Sequence, residues 1–201
     1  MCKILAVDCC LKLTGVALMA GGKVTACEQE DLGRRQTQEL PHIAERVMKA
    51  SGLTWESLDY VALTNGPGYF TGIRVGAAYA SGLAYASGAK VIPVSSLEVL
   101  AFGKDSRKIL AAVYAGHGFV YAHCAGFLDA GEYSVEAVRS WLSENPDAVA
   151  VSDDPERAGI PAVKVRPSVE ALCELAKNRT AFAVNPAELR INYYRAPQGV
   201  I

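Results

Sequence analysis

The chain has 201 residues, of which 51% are hydrophobic and 20% charged, and its formal net charge is −1. That length allows one large domain or two small lobes with a real core, and the composition excludes a disordered chain. The near-zero charge excludes a protein that neutralises many phosphates by itself.

Met1-Cys2-Lys3-Ile4 runs into a strand pattern without a basic region or cleavage site, so no secretory leader is expected and the protein is expected in the cytoplasm. The uncharged stretch 75–89 is too short and too rich in Gly, Ala and Ser to read as a membrane span. Six cysteines, Cys2, Cys9, Cys10, Cys27, Cys124 and Cys173, follow no framework spacing and form no C-x-x-C pair, so they read as reduced thiols without a metal.

Residues 3–8 read as a buried strand that ends on the carboxylate of Asp8. Residues 14–19 and 23–28 follow as strands around the Gly21-Gly22 turn, an antiparallel start to a sheet. Residues 37–50 form a helix, since Leu40, Ile43, Ala44, Val47 and Met48 recur on one face and Gly52 stops it. A strand at 60–64, a loop at 65–68, a helix at 72–87 and a strand at 90–94 come next. Ser95 or Ser96 caps a short helix through 101, with Glu98 placed to help.

The polar stretch 103–108 marks a lobe boundary. Beyond it, 109–114 and 119–124 form a hairpin around Gly116-His117-Gly118, and 135–143 forms a helix. Short strands fall at 148–151 and 162–165, and Ser168 caps a helix through 177. The tail has no clear period. There is no internal repeat at a fixed period. The pattern gives an α/β protein of two lobes with mixed sheets, residues 1–104 and 105–190, and a tail at 191–201.

One segment is more specific than the rest. Asn65-Gly66-Pro67-Gly68-Tyr69-Phe70-Thr71-Gly72-Ile73-Arg74-Val75-Gly76 leads from strand through a glycine-rich loop into a helix. Such a loop can aim backbone N–H groups at an anion. On its own it reads first as a tight strand-to-helix turn.

The wider motif resembles the signature of the TsaB (YeaZ) family, carried here by Asn65, Gly66, Pro67, Gly68, Phe70, Thr71, Gly72 and Arg74, with Tyr69 where the family usually has serine. Asp8 resembles the start of the family's Asp-Thr-Ser opening, although Cys9 and Cys10 follow. Residues 94–98, Val-Ser-Ser-Leu-Glu, resemble another family segment. Tyr114, Gly116 and Phe119 depart from the family's second-lobe hairpin, which usually has Asp-Ala-Arg and then Glu-Val-Tyr. Leu189-Arg190 and Tyr194-Arg195 are two candidates for its closing Tyr-Leu-Arg.

The resemblance implies an actin-like (RNase H-like) fold of two lobes of mixed β-sheet flanked by helices. It implies a non-catalytic role supporting threonylcarbamoyl transfer to tRNA adenosine, with TsaD and TsaE as partners and a homodimer in isolation. It also implies no nucleotide held by this chain alone, with ATP or ADP at an intersubunit site, and tRNA met only through the complex. TsaD carries a His-x-x-x-His pair where this chain has Ser96 and Leu100, and leucine ligates no metal. His42, His117 and His123 form no ligand spacing, and His123 and Cys124 point to opposite strand faces. No catalytic and no metal residue is therefore assigned.

The helix at 72–87 has no charge after Arg74, and Gly72, Gly76 and Ala80 recur every four residues. Half of its apolar surface suits its own sheet; the rest calls for cover by a partner. The expected interface is Ile43, Val47, Gly72, Gly76, Tyr79, Ala80 and Leu83. The rival readings are a stand-alone actin-like ATPase or kinase, a peptidase, and an RNA-binding module.

Overall fold

In the computed structural model, which describes residues 2–104 and 108–194, β1 (Ile4–Asp8) lies at the centre of a five-stranded sheet. It pairs antiparallel with β2 (Thr14–Ala20), which pairs antiparallel with β3 (Lys23–Glu30). On its other side it pairs in parallel with β4 (Tyr60–Thr64), followed by β5 (Lys90–Val94). All five β1 residues are buried, as expected of a strand covered on both faces.

Alternation divides that burial between two cores. Leu5 and Val7 point toward α1 (Gln36–Ser51) and α2 (Phe70–Ser87), in a cluster with Leu40, Ile43, Val47 and Ala80. Ile4 and Ala6 point the other way, with Ala17, Met19, Ala62 and Ile92.

The second sheet contains β6 (Ile109–Gly116), β7 (Phe119–Cys124), β8 (Leu128–Ser134), β9 (Val149–Ser152) and β10 (Val163–Lys164). The strands β6, β7 and β8 are antiparallel, whereas β6, β9 and β10 are parallel. Counted within each lobe, both sheets have the order 3-2-1-4-5 with the same senses. The helices correspond as well: α1 and α4 (Val135–Glu144), α2 and α5 (Pro155–Ala158), and α3 (Ser96–Ala101) and α6 (Val169–Lys177) occupy equivalent places in the two chain halves. A repeat without any period in the sequence is therefore plain in the topology.

The third helices are exchanged. Leu97 and Leu100 of α3 pack with Ala111, Val113 and Val151 of the second sheet, in a core that includes Cys10, Leu11 and Ile73. Leu172, Cys173 and Ala176 of α6 cover the Ile4 and Met19 face of the first sheet. This corrects the expectation that residues 105–190 form the second lobe: the end of that stretch returns to the first, whose second face needs an apolar cover. Arg179, just past α6, then makes two hydrogen bonds with Glu98 of α3, at 2.7 and 2.8 Å.

The chain after α6 runs back along the first lobe. Val184 forms an antiparallel bridge with Val91 of β5. Asn192 N–H donates to the Asn65 carbonyl at 2.8 Å, and Asn65 Nδ2 donates to the Arg190 carbonyl at 3.1 Å. Arg195, with the rest of the expected tail from 195 onward, lies outside the described residues, as do 105–107 of the expected boundary. Neither β8 nor α5 is among the elements expected from the sequence. Among the described residues, no helix is long and apolar enough to cross a membrane.

Candidate partner interface and interlobe cleft

The strand β1 ends at the seam between the lobes. Asp8 is buried there; Thr64 Oγ1 donates to its Oδ1 at 2.6 Å and Cys10 N–H donates to the same oxygen at 3.1 Å. Its Oδ2 has no hydrogen-bond partner among the described residues. Burial pushes the Asp8 carboxyl above its ordinary range, and the charge of Asp153 adds to the effect.

The glycine-rich loop lies directly on the β1–β2 turn. Tyr69 N–H, which an anion cradle would leave free, donates to the Cys10 carbonyl at 2.7 Å. A Cβ on Gly68 would collide with that carbonyl oxygen, and one on Gly72 with the carbonyl oxygen of Cys9. Glycine is required at both places because two backbone segments touch. Ser96 N–H donates to the Gly66 carbonyl at 3.0 Å and Ser96 Oγ to the Pro67 carbonyl. The Cys10 carbonyl therefore occupies the Tyr69 N–H, a donor that a phosphate oxygen would need.

Ser95, not Ser96, caps α3: its Oγ accepts from Leu97 N–H while Glu98 accepts from Ser95 N–H, a closed capping box. The Arg179 guanidinium holds the Glu98 carboxyl below its ordinary range. Ser96 and Leu100 are both buried. His42 and His117 are exposed, the latter at a hairpin tip with φ +50°. His123 lines a cavity of about 240 Å³ with Glu98 and Phe102, whereas Cys124 points into the opposite core. All six cysteines are free thiols; burial pushes Cys9 and Cys10 well up and Cys173 to about 12, which keeps them protonated and poor nucleophiles.

The expected interface residues divide into two groups. Ile43, Val47 and Ala80 are in the first core, and Gly72 and Gly76 are buried against the β1–β2 turn, with a Cβ on Gly76 only 3.3 Å from that of Cys9. These five are corrected: the small-residue stripe turns inward and lets the helix approach its own sheet. Tyr79 and Leu83 are half-buried beside α1. Burial lifts the Tyr79 hydroxyl to about 12, with a contribution from Glu45 of α1.

The outward face of α2 is a different stripe: Arg74, Ala78, Gly82, Tyr85 and Ala86, beginning at Phe70 and Thr71. Tyr85 is 83% exposed, and a Cβ on Gly82 would meet nothing within 4 Å. Sequence reasoning missed Ala78 and Gly82. The signal available was the apolar set Ile73, Ala77, Ala80 and Ala84, which claims the inner face and leaves 74, 78, 82 and 85 outside. At the start of the helix, Phe70 stacks on Tyr193 with ring centroids 5.5 Å apart, and the Arg74 guanidinium lies 3.7 Å over Phe70.

Two lobes of repeated mixed topology with exchanged third helices define an actin-like (RNase H-like) α/β protein. A family model described as TsaD, tRNA N6-adenosine threonylcarbamoyltransferase, matches residues 30–155. The chain is 32% identical over 151 residues to a tRNA threonylcarbamoyladenosine biosynthesis protein, TsaB, of Escherichia coli K12, covering 73% of this chain and 62% of that one. It is 31% identical to an uncharacterized protein of Mycobacterium tuberculosis, over 96% and 92% of the two chains. A crystal structure from Pseudomonas aeruginosa, described as an uncharacterized protein with similarity to peptidase YeaZ, superposes with a TM-score of 0.83 at 25% identity, over 97% of this chain and all of that one. The chain belongs to the TsaB (YeaZ) family. It spans about three-fifths of the length of the E. coli relative.

Proposed function

We propose that this chain is a non-catalytic, cytoplasmic subunit in the synthesis of threonylcarbamoyladenosine in tRNA. It pairs with a TsaD-type catalytic subunit and with TsaE, and with a second copy of itself in isolation. The observation that carries this reading is the outer face of α2: the helix is eighteen residues long and uncharged beyond Arg74, and past the contacts of Tyr193 with Phe70 and Arg74 its Ala78, Gly82 and Tyr85 are exposed among the described residues. A face of small residues beside an exposed aromatic suits close approach of another helix. The names of the relatives supply the process.

The residues at the cleft do not fit a nucleotide phosphate. The Tyr69 N–H is taken by the Cys10 carbonyl, and the carboxyl of Asp8 is buried behind the same turn. ATP or ADP is therefore assigned to an intersubunit site of the complex, and tRNA to contacts made through the partner. A stand-alone ATPase or kinase finds no support in this geometry, and a thiol peptidase finds none in protonated, buried cysteines.

The test is reconstitution with TsaD, TsaE and the enzyme that supplies threonylcarbamoyl-adenylate, assaying modified adenosine in tRNA. Product is expected only when this chain is present, and the chain alone is expected to be inactive. Turnover by the chain alone, or full activity without it, overturns the reading.

A further inference from the structure

The two lobes meet along a seam with two different parts. Its base is the apolar core of Leu97, Leu100, Ala111 and Val113, which offers no alternative arrangement of polar partners. Its mouth is closed by side chains. Tyr69 comes from the loop that starts α2, Tyr114 from β6, and Arg157 from the four-residue α5. Arg157 Nη1 donates to Tyr69 Oη at 3.0 Å. The same guanidinium lies 4.4 Å from the centroid of the Tyr114 ring and 5.5 Å from that of Tyr69.

We infer that Arg157 is an interlobe latch, holding the second lobe shut against the loop from which α2 begins. Local structure presents it for that task. Asp154 caps α5 by accepting from Arg157 N–H at 3.3 Å, and Gly159 ends the helix with φ +69°. The helix seats Ala158 in the second lobe's core and projects this one cation across the seam. Beneath it lies a cavity of about 10 Å³, lined by Leu11, Gly68, Tyr69, Val113, Tyr114 and Asp153 among others. That is space for no more than about one water molecule. The latched state therefore leaves little space directly beneath Arg157.

A cation stacked between two rings at an exposed site is a modest interaction. The latch is strong enough to bias an opening equilibrium and weak enough to release.

Hydrogen–deuterium exchange on the isolated chain tests it, independently of any role in tRNA modification. In Arg157→Ala and in Tyr69→Ser, exchange in segments 9–13 and 66–71 is expected to accelerate about tenfold. Exchange in α4, within the second lobe but away from the seam, is expected to stay at the wild-type rate. The double variant is expected to match Arg157→Ala, because that change already removes the contact that Tyr69→Ser removes. Unchanged exchange at the seam in either single variant, acceleration spread equally over α4, or additive acceleration in the double variant overturns the latch.

Discussion

The two lobes share one strand order and one sequence of helices, yet the same position is developed differently in each. Between its fourth and fifth strands the first lobe has α2, eighteen residues long; the second lobe has α5, with four. The long helix covers its sheet with one face and leaves much of another exposed, whereas the short one seats Ala158 in the core and delivers Arg157 to the seam. A duplicated scaffold thus has one side enlarged into a long helix with an exposed face and the other reduced to a single turn. The lobes stay interdependent because each third helix completes the other's core.

The largest expected effect comes from breaking the inner side of α2. Gly72→Ala places a methyl group on the Cys9 carbonyl, backbone against backbone, and should cost about 3 kcal/mol in urea denaturation. Stability within about 0.5 kcal/mol of wild type would remove the close approach from the account. Next is the tie between the exchanged helices. Arg179→Ala strips Glu98 of both guanidinium bonds and should cost about 1–2 kcal/mol at neutral pH. The Glu98 carboxyl is held below its ordinary 4.5, so its contribution is present above that value and lost as pH falls through the folded value. The gap between wild type and Arg179→Ala should therefore close in acid; a pH-independent gap would point to lost packing alone.

Asp8 gives the opposite sign. Its folded value is raised above 3.8, so the stability it contributes is complete below that pH and is lost as pH rises through the folded value. Asp8→Asn should gain about 1 kcal/mol over wild type at pH 8 and little at pH 4. A loss at pH 8 would mean that the ionised carboxylate is itself needed, and would revive an ATPase reading. The smallest stability effect belongs to the outer face. Gly82→Arg should raise stability by about 0.5–1 kcal/mol, since a helix-interior glycine is replaced in open space. The same variant should abolish pairing in sedimentation and in reconstitution. A folded Gly82→Arg chain that still pairs would move the interface elsewhere.

Much of the fold was legible because its determinants are local. The apolar run before Asp8, the period of Leu40, Ile43 and Val47, and the Ser95–Glu98 box each decide a short segment by itself. The strand β8 was hidden because Leu128–Ser134 is a half-exposed sheet edge containing Asp129, Gly131 and Glu132, without the alternation of a buried strand. The four residues of α5 are too few to show a period. Gly72, Gly76 and Ala80 misled for a deeper reason. A stripe of small residues announces that something comes close, but not whether the visitor is a partner or the turn at Cys9 and Cys10. Only the path of β1 and β2 decides that, and it depends on contacts distant in sequence.

The bridge between Val184 and Val91 bears on a hazard that has nothing to do with tRNA. An open strand at the rim of a sheet is a template on which another copy can add its own strand. At β5 the outward backbone groups of Val91 are taken by Val184, at 2.8 and 2.9 Å. Two residues on, the same rim carries Pro93, which has no N–H to offer. The segment after α6 thus works as a guard against self-templated aggregation, and cutting the chain before Val184 would leave a largely folded protein prone to it.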